Sequence, residues 1–112
     1  MKEFILEENE EILAEFTEVL VKANENNFKL NVILTNNRIV LLKDVSKELL
    51  MNEFLRARLI DVHSNLEVVL NIPFDEIKEL KYIDGINKIT FKDNNNKIDI
   101  KCDDFKSFRI QV

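Results

Sequence analysis

The residues that could carry out catalysis are few in this chain. Among 112 residues there is one histidine, His63, and one cysteine, Cys102. The serines that could act as nucleophiles are Ser46, Ser64 and Ser107, and none lies in a nucleophile elbow or beside an evident base. One histidine without a second ligand at a telling spacing is not a metal site, and a single glycine provides no Gly-rich phosphate loop. We therefore predict no enzyme activity, no catalytic residues, no metal and no cofactor.

Composition indicates one globular domain spanning 1–112. Apolar residues make up 46% of the chain, which at this length is enough for a hydrophobic core. The net charge of −5 argues against nucleic-acid binding, which requires a clustered positive field, although a local basic patch could still exist. A lone cysteine permits no internal disulfide and suits the reducing cytoplasm. The N-terminus has a short apolar run followed by glutamates, which is neither a signal peptide nor a membrane span.

Residues 28–42 are predicted to form a β-hairpin that turns at Asn36 and Asn37. Asparagine tolerates the positive φ that a two-residue hairpin turn requires. Side chains alternate along a strand and opposite partners share a face, so the turn determines the pairing. The predicted pairs are Leu34 with Ile39, and Val32 with Leu41. One face is then entirely apolar and is predicted to be core: Leu30, Val32, Leu34, Ile39 and Leu41.

The opposite face of this hairpin is half apolar and needs cover. Burying an aliphatic side chain is favourable by about 1.5–3 kcal/mol, whereas the outer face of a small barrel should be mostly polar. Two candidates for the cover are the segment 44–65, through Leu50, Phe54 and Ala57, and a second subunit. We favour the segment and place a homo-oligomer second, because closing a loop within the chain is cheap. The predicted interaction surface is Ile33, Val40, Leu42, Leu50 and Phe54.

The residues before and after this hairpin are predicted to add further strands. Residues 12–23 are rich in strand formers but also fit an amphipathic helix; we predict a strand with a bulge or strong twist where the alternation slips. A short strand is expected at 66–70, and Pro73 marks an edge or a strand start. The next strand is expected at 74–83. A bulge or helical turn near Lys78 would place three residues inside: Ile77, Leu80 and Tyr82.

A last hairpin follows the strongest turn dipeptide in the chain, Asp84 and Gly85. Its own turn is predicted at Asn94 and Asn95, or as a four-residue loop of equal parity, because both keep the lysines off the apolar face. The two-residue turn would set Phe91 against Ile98 and Ile89 against Ile100. The residues predicted to point inward are Ile89, Phe91, Ile98, Ile100 and Cys102.

Two helices and an acidic arm complete the predicted elements. Ser46 can cap a helix, and apolar residues then recur at steps of three and four, which predicts a helix near 46–60. A short C-terminal helix is predicted at about 104–111. Its buried face would contain Phe105, Phe108 and Val112. Residues 1–11 are predicted to be a helical turn or a loose acidic arm. Its apolar residues would tuck against the domain: Phe4, Ile5 and Leu6.

Two stretches of this sequence resemble bacterial pleckstrin-homology-like and GRAM-like domains. The run LTNNRIVLL at 34–42 resembles their LTN-x-R-hydrophobic hairpin, and IPFDEI at 72–77 resembles their IP-hydrophobic-x-x-I strand start. Residues 85–91 and 98–100 stand where the last two strands of that family belong. The resemblance implies a mainly β (α+β) barrel of about seven antiparallel strands in two near-orthogonal sheets, with 44–65 as a helical insert and a C-terminal helix.

Domains of this family bind lipid head groups or proteins, so the resemblance implies an interaction module without catalytic residues. Lipid binding would require basic residues in the loop between the first two strands, 22–29. There Lys22 and Lys29 are offset by Glu25, and about 1 kcal/mol per basic group makes only a weak anion site. We therefore predict binding to protein partners, self-association included, with a peripheral membrane lipid-binding domain as the alternative.

Overall fold

The computed structural model describes residues 3–44, 66–93 and 96–105. Within them, seven antiparallel strands form a single sheet with the order β4-β3-β2-β1-β7-β6-β5. The strands are β1 (Ile12–Ala23), β2 (Asn26–Thr35), β3 (Arg38–Asp44), β4 (Leu66–Pro73), β5 (Ile77–Ile83), β6 (Ile86–Phe91) and β7 (Lys97–Lys101). The number and direction of the strands agree with the prediction. The predicted division into two near-orthogonal sheets of a closed barrel was wrong, because the described strands form one sheet. No ladder between described residues joins the edge strands β4 and β5.

Strand β1 is the reason why the sheet is continuous. It pairs with β2 from Ile12 to Ala23, and its last four residues also pair with β7. The register shifts twice along β1, and Glu18 lies at the second shift with a φ of 50°. The side-chain oxygen of Asn31 accepts the Glu18 N–H at 3.1 Å, so the bulge is stabilised by a side chain of β2. This confirms the predicted strand at 12–23 and its bulge.

The β2–β3 hairpin has the predicted register and core face. Leu34 lies opposite Ile39, and all five residues of the apolar face are buried. The turn itself differs from the prediction, because neither Asn36 nor Asn37 has a positive φ. The Thr35 hydroxyl instead accepts the N–H groups of Asn37 and Arg38, at 3.1 and 3.0 Å. A threonine side chain therefore satisfies the turn without left-handed backbone.

The other strands confirm most of the predicted pattern. The register shifts between Ile77 and Glu79, at the expected place, and Ile77 and Leu80 are buried. Tyr82 is exposed, so its predicted interior position was wrong. Pro73 ends the edge strand β4, where its missing N–H is tolerated. β4 extends three residues further than the predicted 66–70.

The β6–β7 hairpin has the register of the four-residue alternative. Ile89 lies opposite Ile98, and the Phe91 N–H donates to the Asn96 carbonyl at 3.0 Å. The predicted pairs Phe91 with Ile98 and Ile89 with Ile100 were therefore wrong. Parity is unchanged, so the predicted inward residues still line the core side.

The predicted helices fall largely on residues beyond the described ranges. The helix at 46–60 lies outside them entirely, as do Phe108 and Val112. Phe105 is described and is fully buried, as predicted, with its ring centroid 6.0 Å from that of Phe16. Among the described residues, the helical structure longer than one residue is a single 3-10 turn, Phe74–Glu76, between β4 and β5.

Replacing Gly85 with alanine should lower the free energy of unfolding by about 1–2 kcal/mol. Gly85 has a φ of 80° in the Asp84–Gly85 turn, and a Cβ there would meet nothing within 4 Å. The cost is therefore conformational and not steric. Urea denaturation of Gly85→Ala and Gly85→Asn measures it, because asparagine tolerates left-handed backbone and should cost less. Equal costs for the two variants would contradict this explanation.

Candidate interaction surfaces

The apolar face predicted to bind a partner is buried in this structure. Ile33, Val40 and Leu42 are 4%, 0% and 0% exposed. Among the described residues, Phe4, Leu66 and Val68 pack against them. Phe4 comes from the N-terminal arm, which was not among the candidates for the cover. Leu50 and Phe54, the other members of the predicted surface, lie outside the described residues, as does the favoured covering segment beyond Asp44.

A buried ion pair holds the arm against the β2–β3 hairpin. The Arg38 guanidinium donates from Nε to Glu10 Oε2 at 2.8 Å and from Nη2 to Oε1 at 2.9 Å. The Thr35 hydroxyl donates to Glu10 Oε2 at 2.6 Å. Arg38 also donates to the Ile5 carbonyl at 2.8 Å and lies 5.1 Å from the centre of the Phe4 ring. One arginine therefore binds the arm through an ion pair, a hydrogen bond to a backbone carbonyl and a cation–π contact.

The ion pair shifts the titration of the glutamate. Hydrogen bonds from Arg38 lower the pKa of Glu10 to about 2, against the opposing effect of burial. Glu10 therefore stays ionised wherever the protein is folded at ordinary pH. Its neighbours are also fixed, because Asn36 accepts the Glu11 N–H at 2.9 Å and donates to the Asn9 carbonyl at 3.1 Å. The predicted tucking holds for Phe4, whereas Ile5 and Leu6 are exposed.

Sequence reasoning missed this network. Glu10 is one of seven glutamates between residues 3 and 18, and nothing local distinguishes it from the others. The available signal was on the hairpin, where Thr35 and Arg38 share a face with Ile33 and Val40. A buried arginine requires a carboxylate, and the acidic arm offers five glutamates between residues 3 and 11.

A second surface, which we call the lysine face, lies on the outward side of β5, β6, β7 and the ends of β1 and β2. The register places six exposed lysines there: Lys22, Lys29, Lys81, Lys88, Lys97 and Lys101. Glu79 and Asp99 are the acidic strand residues on this face, and Glu25 lies at its rim. A chain with a net charge of −5 therefore carries a locally positive surface.

Like charges are adjacent on this face. Lys81 lies directly opposite Lys88 on neighbouring strands, an arrangement that is unfavourable for folding. Among the described residues, the carboxylate partner of Lys81 is Glu79 at 3.1 Å and that of Lys88 is Asp99 at 3.4 Å. Exposed pairs of this kind contribute at most about 1 kcal/mol. The concentration of lysines is therefore not explained by the stability of the sheet.

The lysine face contains a shallow groove and aliphatic side chains. The groove has a volume of about 510 Å³, and Lys22, Lys81, Lys88 and Lys97 line it. Leu20 and Ile83 are 43% and 46% exposed and lie on the same outward side. The surface thus offers both positive charge and apolar contact to a ligand.

The two predicted anion contacts, Lys22 and Lys29, belong to this face. Lys22 lines the groove, whereas Lys29, on β2, lies opposite Leu20 of β1. They do not converge in the β1–β2 loop, which is a tight turn at Asn24 and Glu25, with φ of 51° and 67°. Sequence alternation did assign Lys88, Lys97 and Lys101 to an outward side. It gave no sign that β1 lies beside β7, which brings the two groups of lysines together.

The described residues also bear on metal binding, on membrane-spanning helices and on the reactivity of the Cys102 thiol. In the described ranges, no group of three His, Cys, Asp or Glu side chains could hold a metal ion. No described helix is long and apolar enough to cross a membrane. Burial raises the pKa of the Cys102 thiol to about 12, so it is not a thiolate nucleophile at neutral pH. His63 and the three serines lie outside the described residues.

Comparison with known proteins bears on the fold. No protein-family model matches the chain, and no curated protein matches it. Among solved structures, it is similar to a Vps36 N-terminal PH domain, with a TM-score of 0.60 and 16% sequence identity. The match covers 93% of this chain and 76% of that one. The chain has a pleckstrin-homology-like fold.

The pleckstrin-homology-like fold confirms the coarser part of the sequence resemblance. At this level of identity the likeness describes the fold alone, so ligands of the Vps36 domain are not carried over. The finer resemblance to bacterial and GRAM-like members still rests on the motifs at 34–42 and 72–77. The surface that could serve as a binding site must therefore be chosen from the residues of this chain.

Proposed function

We propose that this chain is a non-catalytic interaction module whose lysine face binds an acidic segment of a protein partner. The observation that carries the proposal is the concentration of six lysines on one face, four of which line a groove, in a chain whose net charge is −5. Charge segregation of this kind steers oppositely charged partners to one surface. A pleckstrin-homology-like fold is compatible with such a role, since its sheet can present an outer face without an assembled active site.

The chemistry of the face indicates the chemistry of the partner. Carboxylates would pair with Lys81, Lys88 and Lys22, which lie on three strands of one cross-strand row. Leu20 and Ile83 are exposed beside that row and would contact aliphatic side chains. We therefore expect a segment that combines glutamate or aspartate with leucine or isoleucine.

A peripheral membrane lipid-binding domain of the pleckstrin-homology or GRAM type is the alternative. Lysines interleaved with aliphatic residues also suit an anionic membrane surface. The protein partner is favoured because the rest of the chain is acidic. An extended anionic bilayer is repelled by the net charge of −5 of the whole chain, whereas a short acidic segment interacts mainly with the lysines nearest to it. A membrane is therefore kept as an outcome of the test.

Wild-type protein should bind a labelled peptide of glutamate and leucine in fluorescence anisotropy, and Lys81→Glu/Lys88→Glu should weaken its affinity by at least about tenfold. The matched control is Lys43→Glu/Lys92→Glu, which changes the net charge equally at two exposed lysines that do not line the groove. It should bind nearly as well as the wild type. Raising the salt from about 0.1 M to about 1 M should abolish binding, because the pairs are exposed.

Three results would contradict the proposal. The first is that the wild type does not bind the glutamate-leucine peptide. The second is that both double variants lose the same amount of affinity. The third is that a lysine-leucine peptide binds the wild type as tightly as the glutamate-leucine peptide does. Vesicles of phosphatidylserine in phosphatidylcholine provide the other arm. Flotation of the wild type with them, lost in Lys81→Glu/Lys88→Glu and without any peptide binding, would replace the protein partner with a membrane.

A further inference from the structure

The chain carries a second exposed surface whose chemistry complements the lysine face. Between residues 3 and 18 there are seven glutamates and no lysine or arginine. All of these glutamates except Glu10 are exposed. Four aliphatic side chains in the same stretch are also exposed: Ile5, Leu6, Ile12 and Leu13. This acidic segment therefore combines carboxylates and aliphatic residues, as expected of a ligand for the lysine face.

The acidic segment cannot reach the lysine face of its own molecule. Residues 7–11 are tied to the β2–β3 hairpin through the Glu10–Arg38 ion pair and the Asn36 side chain. Of the remaining glutamates, Glu3 adjoins Phe4, which packs against the hairpin, and Glu15 and Glu18 are part of β1, which its ladder holds to β2. The lysine face begins only at Leu20, on the part of β1 that pairs with β7. The two surfaces are therefore held apart within one rigid sheet, and they can meet only between molecules.

We infer that the acidic segment of a second copy of this chain, residues 3–18, occupies the lysine face. The inference rests on the proposed function and names its partner. The contact is heterologous, because different surfaces of the two copies meet, so it yields a closed ring or pair, or an open chain. Both arrangements use the same contact. The association is electrostatic and exposed, so it weakens as salt rises.

Sedimentation velocity over a range of protein concentrations tests the inference. At about 0.1 M salt the wild type should form species larger than the monomer, and at about 1 M salt it should be monomeric. Lys81→Glu/Lys88→Glu should weaken association by at least about tenfold, and so should Glu8→Lys/Glu15→Lys on the other surface. The control Lys43→Glu/Lys92→Glu should associate like the wild type.

A mixture of the two charge-reversed variants gives the decisive result. Lys81→Glu/Lys88→Glu retains an intact acidic segment, and Glu8→Lys/Glu15→Lys retains an intact lysine face. Mixed in equal amounts, they should recover an association that neither shows alone. All substituted residues are exposed, and circular dichroism of each variant verifies folding.

The outcomes separate this inference from the proposed function. A wild type that is monomeric at about 0.1 M salt, yet binds the glutamate-leucine peptide, overturns the inference and leaves the function standing. Association that persists in Lys81→Glu/Lys88→Glu, or a mixture that does not recover it, also overturns the inference. If the wild type neither binds the peptide nor associates, the lysine face is not a binding site, and the proposed function is overturned together with the inference.

Discussion

Replacing Arg38 with methionine is expected to destabilise the protein by about 3–5 kcal/mol. The guanidinium is the main partner of Glu10, whose side chain is fully buried. Without it, the carboxylate is left in the interior with the Thr35 hydroxyl as its remaining side-chain donor. The Ile5 carbonyl and the Phe4 ring lose a partner at the same time. Urea denaturation of wild type and variant at pH 7 measures the loss.

The double variant Glu10→Met/Arg38→Met distinguishes a buried charge from lost packing. Removing both members of a buried ion pair is often less costly than removing one, because no uncompensated charge remains. The double variant should therefore be more stable than Arg38→Met alone. Glu8→Gln is the surface control and should lie within about 0.5 kcal/mol of the wild type. A double variant that is less stable than Arg38→Met would show that packing, and not charge, dominates this site.

The same ion pair makes stability depend on pH in a defined direction. Because the pKa of Glu10 is about 2 in the folded protein and 4.5 in its unperturbed state, the unfolded chain takes up its proton first as the pH falls. The contribution of ionised Glu10 is complete above about pH 5 and declines as the pH falls towards 2. A shift of this size corresponds to about 3 kcal/mol. The stability difference between wild type and Glu10→Gln should therefore narrow over that range, and a difference that is constant with pH would contradict it.

Replacing Asn87 with leucine is the second large loss, expected at about 2–4 kcal/mol. The Asn87 amide is fully buried on the core side of β6. Its Nδ2 group donates to the carbonyls of Cys102 and Asp103, at 3.2 and 3.0 Å. Its Oδ1 atom accepts the Phe105 N–H at 3.3 Å. One side chain therefore fixes the backbone after β7 and sets Phe105 in the core.

Two measurements test this role for Asn87. Urea denaturation gives the loss of stability, and hydrogen exchange at the Phe105 amide should accelerate because its acceptor is gone. Asn27→Leu is the matched control on an exposed strand position and should change stability by no more than about 0.5 kcal/mol. Unchanged protection of the Phe105 amide in Asn87→Leu would show that another group holds the segment.

Local rules in the sequence determined where most strands lie, which of their side chains point to the core, and several of the turns. The apolar face of β2 and β3 follows from a side-chain period of two and a two-residue connection, both of which are local properties. The Asp84–Gly85 turn follows from the tolerance of those residues for left-handed backbone, and the structure shows φ values of 52° and 80° there. The bulges in β1 and β5 were visible as slips in the alternation.

Contacts between distant residues were decided only by the tertiary structure. Phe4 covers part of the outward face of the β2–β3 hairpin, and Glu10 is the buried glutamate that pairs with Arg38, because the arm returns across the hairpin. In the sequence, Asn87 is an ordinary residue beside a turn, and its role depends on hydrogen bonds to the backbone of Asp103 and Phe105. The lysine face exists because β1 lies beside β7, which pairs residues 75 to 81 positions apart in sequence. Such neighbours are chosen by the burial of the whole sheet, and no local pattern of charge or period encodes which strands become adjacent.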